Sequence, residues 1–428
     1  MIFKKMNKRV KYIRTSIGLI PKDWKIEKAG SIFKNSRIKG SPNLSMLSLT
    51  MRDGFVRRDD LDRKMQPDLP YDKNLKVELG DIAYNMMRAW QGAIALAIEK
   101  GMVSPAYVVL KPTKEAFSNY YFHLFKSSHY QYLITSYSYG ITSDRLRLYY
   151  KDFASIPVPL PPLPEQKKIA EILSAWDKAI EQTKSLIEAK KKLKKGLMQK
   201  LLAGEMRFPE FGKIAKKGEL PDGWKFTKLK DLLIKIERPI EFDNRKFYPL
   251  VSVKRNSNGL IHRETLLGSK ILVKDLYTLQ ENDFLISKMQ VVHGALGMVT
   301  KKFESMYISG SYIVLNTKDQ NKFNIHYFDY LSKTKYIYHA ALISSYGVTI
   351  EKMTFNLRWF LKTIVAIPTN INEQTKIVSV LDTLNLEISI LIEKLSLLQT
   401  QKKGLLQKLL TGQIRVQVDS PKPKAKKK

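Results

Sequence analysis

Hydrophobic residues recur every three or four positions along two long stretches of the chain, and these stretches carry nearly the same sequence. The first is EQKKIAEILSAWDKAIEQTKSLIEAKKKLKKGLMQKLLAGEMR at 165–207, and the second is EQTKIVSVLDTLNLEISILIEKLSLLQTQKKGLLQKLLTGQIR at 373–415. They align without a gap at an offset of 208. Because this spacing places the apolar residues on one face of an α-helix, the pattern predicts two helices of roughly 38 residues, about 57 Å each.

A helix of that length cannot shield its apolar face from water alone, so the two copies are predicted to pack against each other. A generic coiled coil would explain one such stretch, but two matching copies at a domain-length interval argue against it. The residues predicted to form the contact are Ile169, Leu173, Trp176, Ile180, Ile187 and Leu197 in the first helix, with Ile377, Leu381, Leu384, Ile388, Leu395 and Leu405 in the second.

Polar and glycine residues mark the helix boundaries. Asn372 is a candidate cap for the second helix. Gly204 and Gly412 fall where a left-handed C-terminal cap would lie. Gly196 and Gly404 lie inside the helices, where each costs about 1 kcal/mol relative to alanine. Their recurrence predicts either a close approach between the helices or a kink.

The repeat extends beyond the helices. Each half begins with a Pro-x-x-Trp turn that leads into a short helix, GLIPKDWKIEKAGSIF at 18–33 and GELPDGWKFTKLKDLL at 218–233. Alternating strand patterns and glycine turns follow in the same order in both halves. We therefore predict an α/β (α+β) fold with two duplicated globules, each followed by a long helix. The expected domains are 1–163, 164–207, 208–371 and 372–415, with a basic disordered tail at 416–428.

The net charge of the chain indicates that this repeat protein binds a polyanion. The chain has 74 Lys and Arg residues against 40 Asp and Glu, a net charge of +34, which favours nucleic acid as a partner over a merely soluble basic protein. It has no cysteine, so neither a disulfide framework nor a thiolate metal site is possible. Because it lacks a signal-peptide core and any run of 18 apolar residues, we expect a cytoplasmic location and no membrane association.

Motifs for catalysis are missing from the sequence. There is no glycine-rich phosphate loop, Walker lysine or Asn-Pro-Pro-aromatic methylase motif, and the six histidines lack metal-ligand spacing. A nuclease is one alternative, since Asp152, Glu165 and Lys167 loosely follow an acid-then-E-x-K order. However, Glu165 opens a helix, where acidic residues are favoured, and Lys167 becomes Thr375 in the repeat. A purely architectural DNA-binding spacer is a second alternative, which the divergent loops of the two globules disfavour.

The helix boundaries carry a specific family resemblance. The starts P-L-P-E-Q and N-E-Q, with the shared end K-K-G-L-x-Q-K-L-L-x-G, resemble the specificity subunit of a type I restriction–modification system. The second start lacks the proline cluster of the first. The resemblance implies that each globule reads half of a split target in the major groove of double-stranded DNA. It also implies an antiparallel coiled coil that separates the globules.

The same resemblance implies partners that carry the chemistry. Methyltransferase subunits, expected to be two, would dock beside the helices, and restriction subunits would join the complex. This chain would hold no cofactor and catalyse nothing. S-adenosylmethionine would belong to the methyltransferase subunit, and ATP and Mg to the restriction subunit, in a prokaryotic cytoplasm.

Basic and amide side chains in predicted loops are the candidates for reading DNA. Arginine and lysine suit guanine, and asparagine and glutamine suit adenine, although phosphate contact or a solvated charge is an alternative for each. Arg145 and Lys352 follow repeated Ser-Tyr-Gly turns at about the same distance. The candidates are Arg52, Arg57, Arg58, Arg88, Gln91 and Arg145 in the first globule, with Lys254, Arg255, Arg263, Lys288, Gln290 and Lys352 in the second.

Overall fold

The computed structural model describes residues 11–50, 54–61, 69–142, 144–214, 219–350 and 353–418. Its contacts divide the chain into two units. The first unit takes the chain up to Lys184 and again from Glu393, and the second is Ser185–Ile392. Each unit therefore contains one globule, the first part of one long helix and the last part of the other. The domain boundaries suggested by the repeat stay predictions.

The first globule consists of short strands and helices that lead into one long helix. Its strands are β1 (Tyr12–Thr15), β2 (Gly18–Pro21), β3 (Lys25–Lys28), β4 (Phe33–Ser36), β5 (Leu47–Thr50), β6 (Gly54–Arg57), β7 (Leu75–Val77), β8 (Ile82–Asn85), β9 (Ile94–Leu96), β10 (Gly101–Val103), β11 (Tyr107–Pro112) and β12 (Pro157–Leu160). Its helices are α1 (Ala29–Ile32), α2 (Ser118–Lys126), α3 (Ser128–Ser136), α4 (Tyr150–Phe153) and α5 (Leu163–Leu202).

The second globule repeats this order from β3 onward and adds one short pair of strands. Its strands are β13 (Trp224–Lys228), β14 (Leu233–Ile236), β15 (Phe247–Val253), β16 (Leu260–Leu267), β17 (Leu276–Thr278), β18 (Phe284–Ser287), β19 (Leu296–Met298), β20 (Tyr307–Ser309), β21 (Tyr312–Thr317), β22 (Ser345–Tyr346), β23 (Thr354–Phe355) and β24 (Ile364–Pro368). Its helices are α6 (Leu229–Leu232), α7 (Ile325–Ser332), α8 (Lys335–Ile343), α9 (Leu357–Phe360) and α10 (Ile371–Leu410). The added pair, β22–β23, lies between α8 and α9.

An antiparallel four-stranded sheet forms the centre of each globule, in the order β4-β11-β8-β9 in the first and β14-β21-β18-β19 in the second. The strands β8 and β18 are almost wholly buried, because side chains cover both faces of the sheet. In the first globule, helices α2 and α3 and the long helices lie on one face. A smaller cluster around Leu47, Val77 and Val103 lies on the other.

The outer strands differ in length between the globules. In the second globule β16, β15, β20 and β17 make a continuous four-stranded sheet. In the first globule the corresponding pairs β5–β6 and β7–β10 are joined by one parallel bridge between Met46 and Met102, as Leu250 and Tyr307 join β15 to β20. The outer strands therefore follow the same order in both copies, and β15 and β16 are longer than β5 and β6.

Helices α5 and α10 are 40 residues each, and within each unit their segments run in opposite directions. In the first unit Leu173 shares a buried cluster with Leu409, and further along Asp177 pairs with Lys402. In the second unit the Lys190 ammonium lies 2.7 Å from the Glu387 carboxylate. The predicted fold class, mixed α/β globules with antiparallel long helices, is confirmed.

The predicted helix-contact residues are all buried or partly buried, but many of them also serve the globules. Ile169 and Leu173 pack in the core of the first globule with Trp24 and Phe33. Ile377 and Leu381 occupy the same place in the second globule. The ends of the long helices are thus parts of the globular cores, because the central sheet needs a helical cover on that face.

One detail of the helix boundaries was predicted wrongly. The cap of α10 is Asn370, whose side-chain oxygen accepts from the Asn372 amide at 2.9 Å. Inside the helices, Gly196 and Gly404 make no close approach, because a Cβ added at either would meet no described atom within 4 Å, and the alternative of a kink stays a prediction. Gly204 and Gly412 do adopt left-handed φ angles of +71° and +68°, as the cap prediction requires.

Candidate nucleic-acid interface

An open cleft of about 1040 Å³ on the first globule collects three of the predicted DNA-reading residues. Arg88, Gln91 and Arg145 line it, and so does Arg147, which the sequence analysis missed. Among the described residues no carboxylate forms an ion pair with any of these three arginines. Since Asp144 is the one acidic residue in the lining, the cleft favours an anionic partner.

One wall of the cleft is a single 3₁₀ turn, Ala89–Gln91. Arg88 precedes the turn, and Gly92 ends it with a φ of +88°. The Lys126 ammonium donates to the Gly92 carbonyl at 3.0 Å in a partly buried contact, and desolvation lowers the pKa of this lysine. Arg88 and Gln91 therefore lie on a short turn, rather than on a long loop, and the hydrogen bond from Lys126 stabilises this turn.

The opposite wall is a small hairpin that follows helix α3. Tyr139 and Arg147 exchange backbone hydrogen bonds of 3.1 and 2.9 Å. The Tyr139 and Tyr149 rings pack with their centroids 5.5 Å apart. At Gly140 a Cβ would come within 2.3 Å of the Arg145 carbonyl oxygen, so the tip of the hairpin closes only around a glycine. This closure holds Arg145 beside the cleft.

The other candidates of the first globule lie outside this cleft. Arg57 makes a two-pronged ion pair with Glu99, at 2.7 and 3.1 Å, and Arg58 begins a 3₁₀ turn. An arginine already paired with a carboxylate must give up that partner before it can bind a phosphate or a base. Arg52 lies outside the described residues.

The second globule builds the same 3₁₀ turn with a different residue at its start. Gln290 has φ and ψ of −127° and 6°, against −132° and 8° for Arg88. Gly294 ends the turn, as Gly92 does in the first globule. Gln290 is therefore the structural counterpart of Arg88, and the counterpart of Gln91 is His293.

The turn between β15 and β16 lies against this 3₁₀ turn. The Asn256 amide donates to His293 and the Ser257 amide to Gly294, both at 2.8 Å. As a result the Arg255 Nε donates to the Gln290 side-chain oxygen at 2.9 Å. Lys254, next to Arg255 on the same turn, is exposed, so three predicted residues meet at one surface.

The remaining candidates of the second globule are dispersed. The Lys288 ammonium donates to the Gly310 carbonyl at 2.5 Å and is partly buried. Arg263 lies on β16, pairs with Glu264 at 2.9 Å, and lines a smaller cleft of about 340 Å³ with Lys270. Lys352 lies outside the described residues.

Buried ion pairs, which the sequence analysis did not predict, fasten the start of each long helix. Arg415 holds Glu165 at 2.7 and 3.0 Å, and the Trp24 indole donates to the same carboxylate at 3.0 Å. Burial alone would lower the pKa of Arg415, but hydrogen bonds to Glu165 and Asp23 raise it. In the second globule Arg207 holds Glu373 at 2.8 and 2.9 Å. The sequence signal was present, since a Glu and an Arg bracket each repeat.

The glutamine after each glutamate hydrogen-bonds the chain segment that precedes helix α2 in the first globule or helix α7 in the second. Gln166 accepts from the Phe117 amide at 2.8 Å and donates to the Glu115 and Pro161 carbonyls. Gln374 repeats this with the Asn324 amide at 2.9 Å. Both Glu-Gln pairs are therefore structural, and Glu165 is not free to bind a metal in a nuclease site.

Two further observations concern metal binding and membrane-spanning helices. Within the described part of the chain, no group of three His, Asp or Glu residues is arranged to hold a metal ion. None of the helices in that part is both long and apolar enough to cross a membrane.

Comparison with known proteins identifies relatives of both halves. Residues 21–191 and 221–399 each match the profile of the type I restriction modification DNA specificity domain. The type I restriction enzyme MjaVIII specificity subunit of Methanocaldococcus jannaschii is 30% identical over 222 residues, 50% of this chain and 50% of that protein. The MjaIX specificity subunit of the same organism is 26% identical over 284 residues, 61% of this chain and 64% of that protein. The chain thus spans about half to just under two thirds of the length of these relatives.

A solved structure shares the fold over almost the full length. The S subunit of the type I restriction–modification system from M. genitalium superposes with a TM-score of 0.54, covering 96% of this chain and 99% of that one at 14% identity. At that level of identity the likeness concerns the fold.

Proposed function

Because the chain belongs to the type I restriction modification DNA specificity family, we propose that it is the sequence-reading subunit of a type I restriction–modification complex. Each globule binds one half of a bipartite target in the major groove of double-stranded DNA. The observation that carries this proposal is the pair of equivalent 3₁₀ turns, which present Arg88 in the first globule and Gln290 in the second.

The two turns suit different bases. An arginine forms two hydrogen bonds with guanine, whereas a glutamine does so with adenine. The unpaired arginines of the first cleft, Arg88, Arg145 and Arg147, supply both base and phosphate contacts. In the second globule Arg255 lies beside Gln290 and orients it. Equal backbone positions with different side chains give two reading heads with different preferences, which disfavours an architectural spacer that ignores sequence.

The long helices set the distance between the half-sites and receive the partner subunits. A helix of 40 residues is about 60 Å long, longer than one turn of B-DNA at roughly 34 Å. In the second unit the helices leave apolar side chains in solvent, including Leu186, Leu193, Leu386 and Ile390. Exposed apolar residues of this kind mark protein interfaces, and methyltransferase subunits, two per complex, dock there.

Catalysis belongs to the partners. This chain binds no cofactor and is not an enzyme; the methyltransferase subunits bring S-adenosylmethionine, and the restriction subunits bring ATP and Mg. The nuclease alternative fails on Glu165, which is buried and held by Arg415 and Trp24.

The test exchanges the two residues at the start of the equivalent turns. We expect Arg88→Gln, assembled with the methyltransferase subunits, to change the preferred base at one position of one half-site. Gln290→Arg changes one position of the other half-site. Sequencing of methylated sites from a random target library measures the base preference at each position. We expect each variant to lose about 1–3 kcal/mol of discrimination between the bases at its position.

Arg57→Gln is the matched control, because Arg57 is paired with Glu99 and does not line the cleft. Methylation that is insensitive to both turn variants, or that changes in both half-sites together, contradicts the proposal.

A further inference from the structure

Each globule carries a fully exposed branched aliphatic side chain at the same position of the repeat. Ile141 is 101% exposed in the first globule, and Val348 is 97% exposed in the second. Both follow a Ser-Tyr-Gly turn. A single exposed apolar residue is ordinary, but the same exposure at equivalent positions of two divergent copies points to a shared use.

The two side chains stand on anchored hairpins. In the first globule Tyr139 and Arg147 pair at the base of the hairpin, and the Tyr139 ring packs against Tyr149. In the second globule Tyr346 pairs with Thr354, and its ring packs against Trp359 with centroids 5.8 Å apart. A packed pair of aromatic rings thus stabilises each hairpin and fixes the positions of Ile141 and Val348.

The residues around Ile141 indicate which kind of partner this side chain contacts. It lines the cleft with Arg88, Arg145 and Arg147, which have no carboxylate partner among the described residues. An apolar protein surface covering Ile141 would also remove these charges from water, at a high cost. DNA offers phosphates and guanine edges to the arginines, and one apolar group in the major groove, the C5-methyl of thymine, to an aliphatic side chain.

We propose that Ile141 and Val348 are specificity-determining residues that each contact the C5-methyl group of a thymine, one in each half-site. This inference rests on the proposed function and adds the chemical group that the tips recognise. The two contacts read the same feature, so each half-site contains at least one thymine that is sensed through its methyl group.

The experiment removes that methyl group without changing any hydrogen bond of the base. The complete chain with its methyltransferase subunits is titrated with target duplexes in which single thymines are replaced by uracil. We expect one replacement in each half-site to weaken binding about 3- to 5-fold, the value of one buried methyl group. For Ile141→Ala the penalty vanishes in one half-site only, and for Val348→Ala in the other.

A matched control is Ile98→Ala, which removes an aliphatic side chain that is 75% exposed and does not line the cleft. It should respond to uracil as the unchanged protein does. All three side chains are exposed, so these substitutions leave the cores intact.

The outcomes separate the inference from the function on which it rests. Sequence-specific binding in which no uracil position distinguishes Ile141→Ala from the unchanged protein overturns the inference and leaves the function standing. Loss of methyltransferase assembly in Ile141→Ala, with uracil discrimination intact, assigns the tips to a protein interface and also overturns it. Binding of the unchanged protein without any sequence preference overturns both.

Discussion

Both globules form the same arginine–glutamate ion pair at the start of their long helices, but the side chains of the pair are buried to different extents. The Arg207 and Glu373 side chains are 4% and 2% exposed. Arg415, the counterpart of Arg207, is 28% exposed and holds Asp23 as well as Glu165. The repeat thus preserves the geometry of the pair, but the second carboxylate, Asp23, hydrogen-bonds Arg415 directly, whereas Asp222 acts on Arg207 at a longer distance.

A second polar cluster, where helix α2 or α7 meets the long helices, keeps an equivalent lysine, Lys402 or Lys194, while its other members have changed. In the first unit the buried His123 lies 3.4 Å from the Ser174 hydroxyl and 3.8 Å from Asp177, which pairs with Lys402. In the second unit Tyr330 takes the place of His123, donates to Asp382 and accepts from Asn385 at 2.6 Å. The same packing site therefore holds a buried histidine whose pKa is lowered to about 4 in the first globule, and a tyrosine whose pKa is raised by burial in the second.

The largest expected difference concerns the ion pairs. Glu373→Gln removes the carboxylate that hydrogen-bonds the buried Arg207 and leaves the more distant charge of Asp222, so we expect the free energy of unfolding of the second unit to fall by about 3–5 kcal/mol. In Glu165→Gln the arginine retains Asp23 and partial access to solvent, so the first unit loses only roughly 1–2 kcal/mol. Hydrogen exchange of peptides from each unit measures the change in the free energy of unfolding of that unit.

Lys376→Gln, next to the ion pair but exposed, is the control and should change little. Equal losses in the two units would mean that burial and the second carboxylate do not matter, and would break the comparison.

The next effect is a pH dependence confined to the first unit. Burial lowers the pKa of His123 to about 4, opposed by Asp177 and aided by Lys402, from an ordinary value of 6.5. Because the folded pKa is depressed, the stabilisation is present above pH 6.5 and is lost as the pH falls through 4. The full loss is about 3 kcal/mol.

Hydrogen exchange as a function of pH, from pH 7 to pH 4, tests this in both units. We expect the opening constant of α2 peptides, which is the exchange rate divided by the intrinsic rate at the same pH, to increase on acidification, and His123→Gln to flatten this dependence. An equally steep dependence in the α7 peptides, where Tyr330 replaces the histidine, would assign the effect to groups other than His123.

The smallest effects should be the same in both globules. Gly404→Ala and Gly196→Ala fill open space inside a helix, and each should stabilise its unit by about 1 kcal/mol. Gly412→Ala places a Cβ 2.4 Å from Pro21 at a left-handed φ of +68°, and Gly204→Ala meets Pro221 at 2.6 Å. Each should destabilise its unit by at least about 1–2 kcal/mol. Opposite signs in the two globules would show that the helix ends are not equivalent.

Sequence periodicity predicted the large features because they depend on local rules. The spacing of apolar residues required the two long helices, and the gapless offset required that both copies fold alike. Gly204 and Gly412 were identified as left-handed caps, since few residues other than glycine adopt that conformation without strain. The asparagine cap was placed two residues too late, because Asn370 and Asn372 satisfy the same local pattern.

Contacts between distant segments were beyond the sequence alone. Arg415 meets Glu165 across 250 residues, and the docking of the β15–β16 turn brings Arg255 to Gln290 across 35. The arginines of the first cleft gather because Arg88 and Arg145 belong to separate elements that the central sheet and helix α3 bring together. The sequence by itself determined the repeat, the helices and the positive charge, which follow from residue type and spacing. Only the tertiary structure decided which charges are buried in pairs and which have no carboxylate partner among the described residues, because pairing depends on where chain segments meet in space.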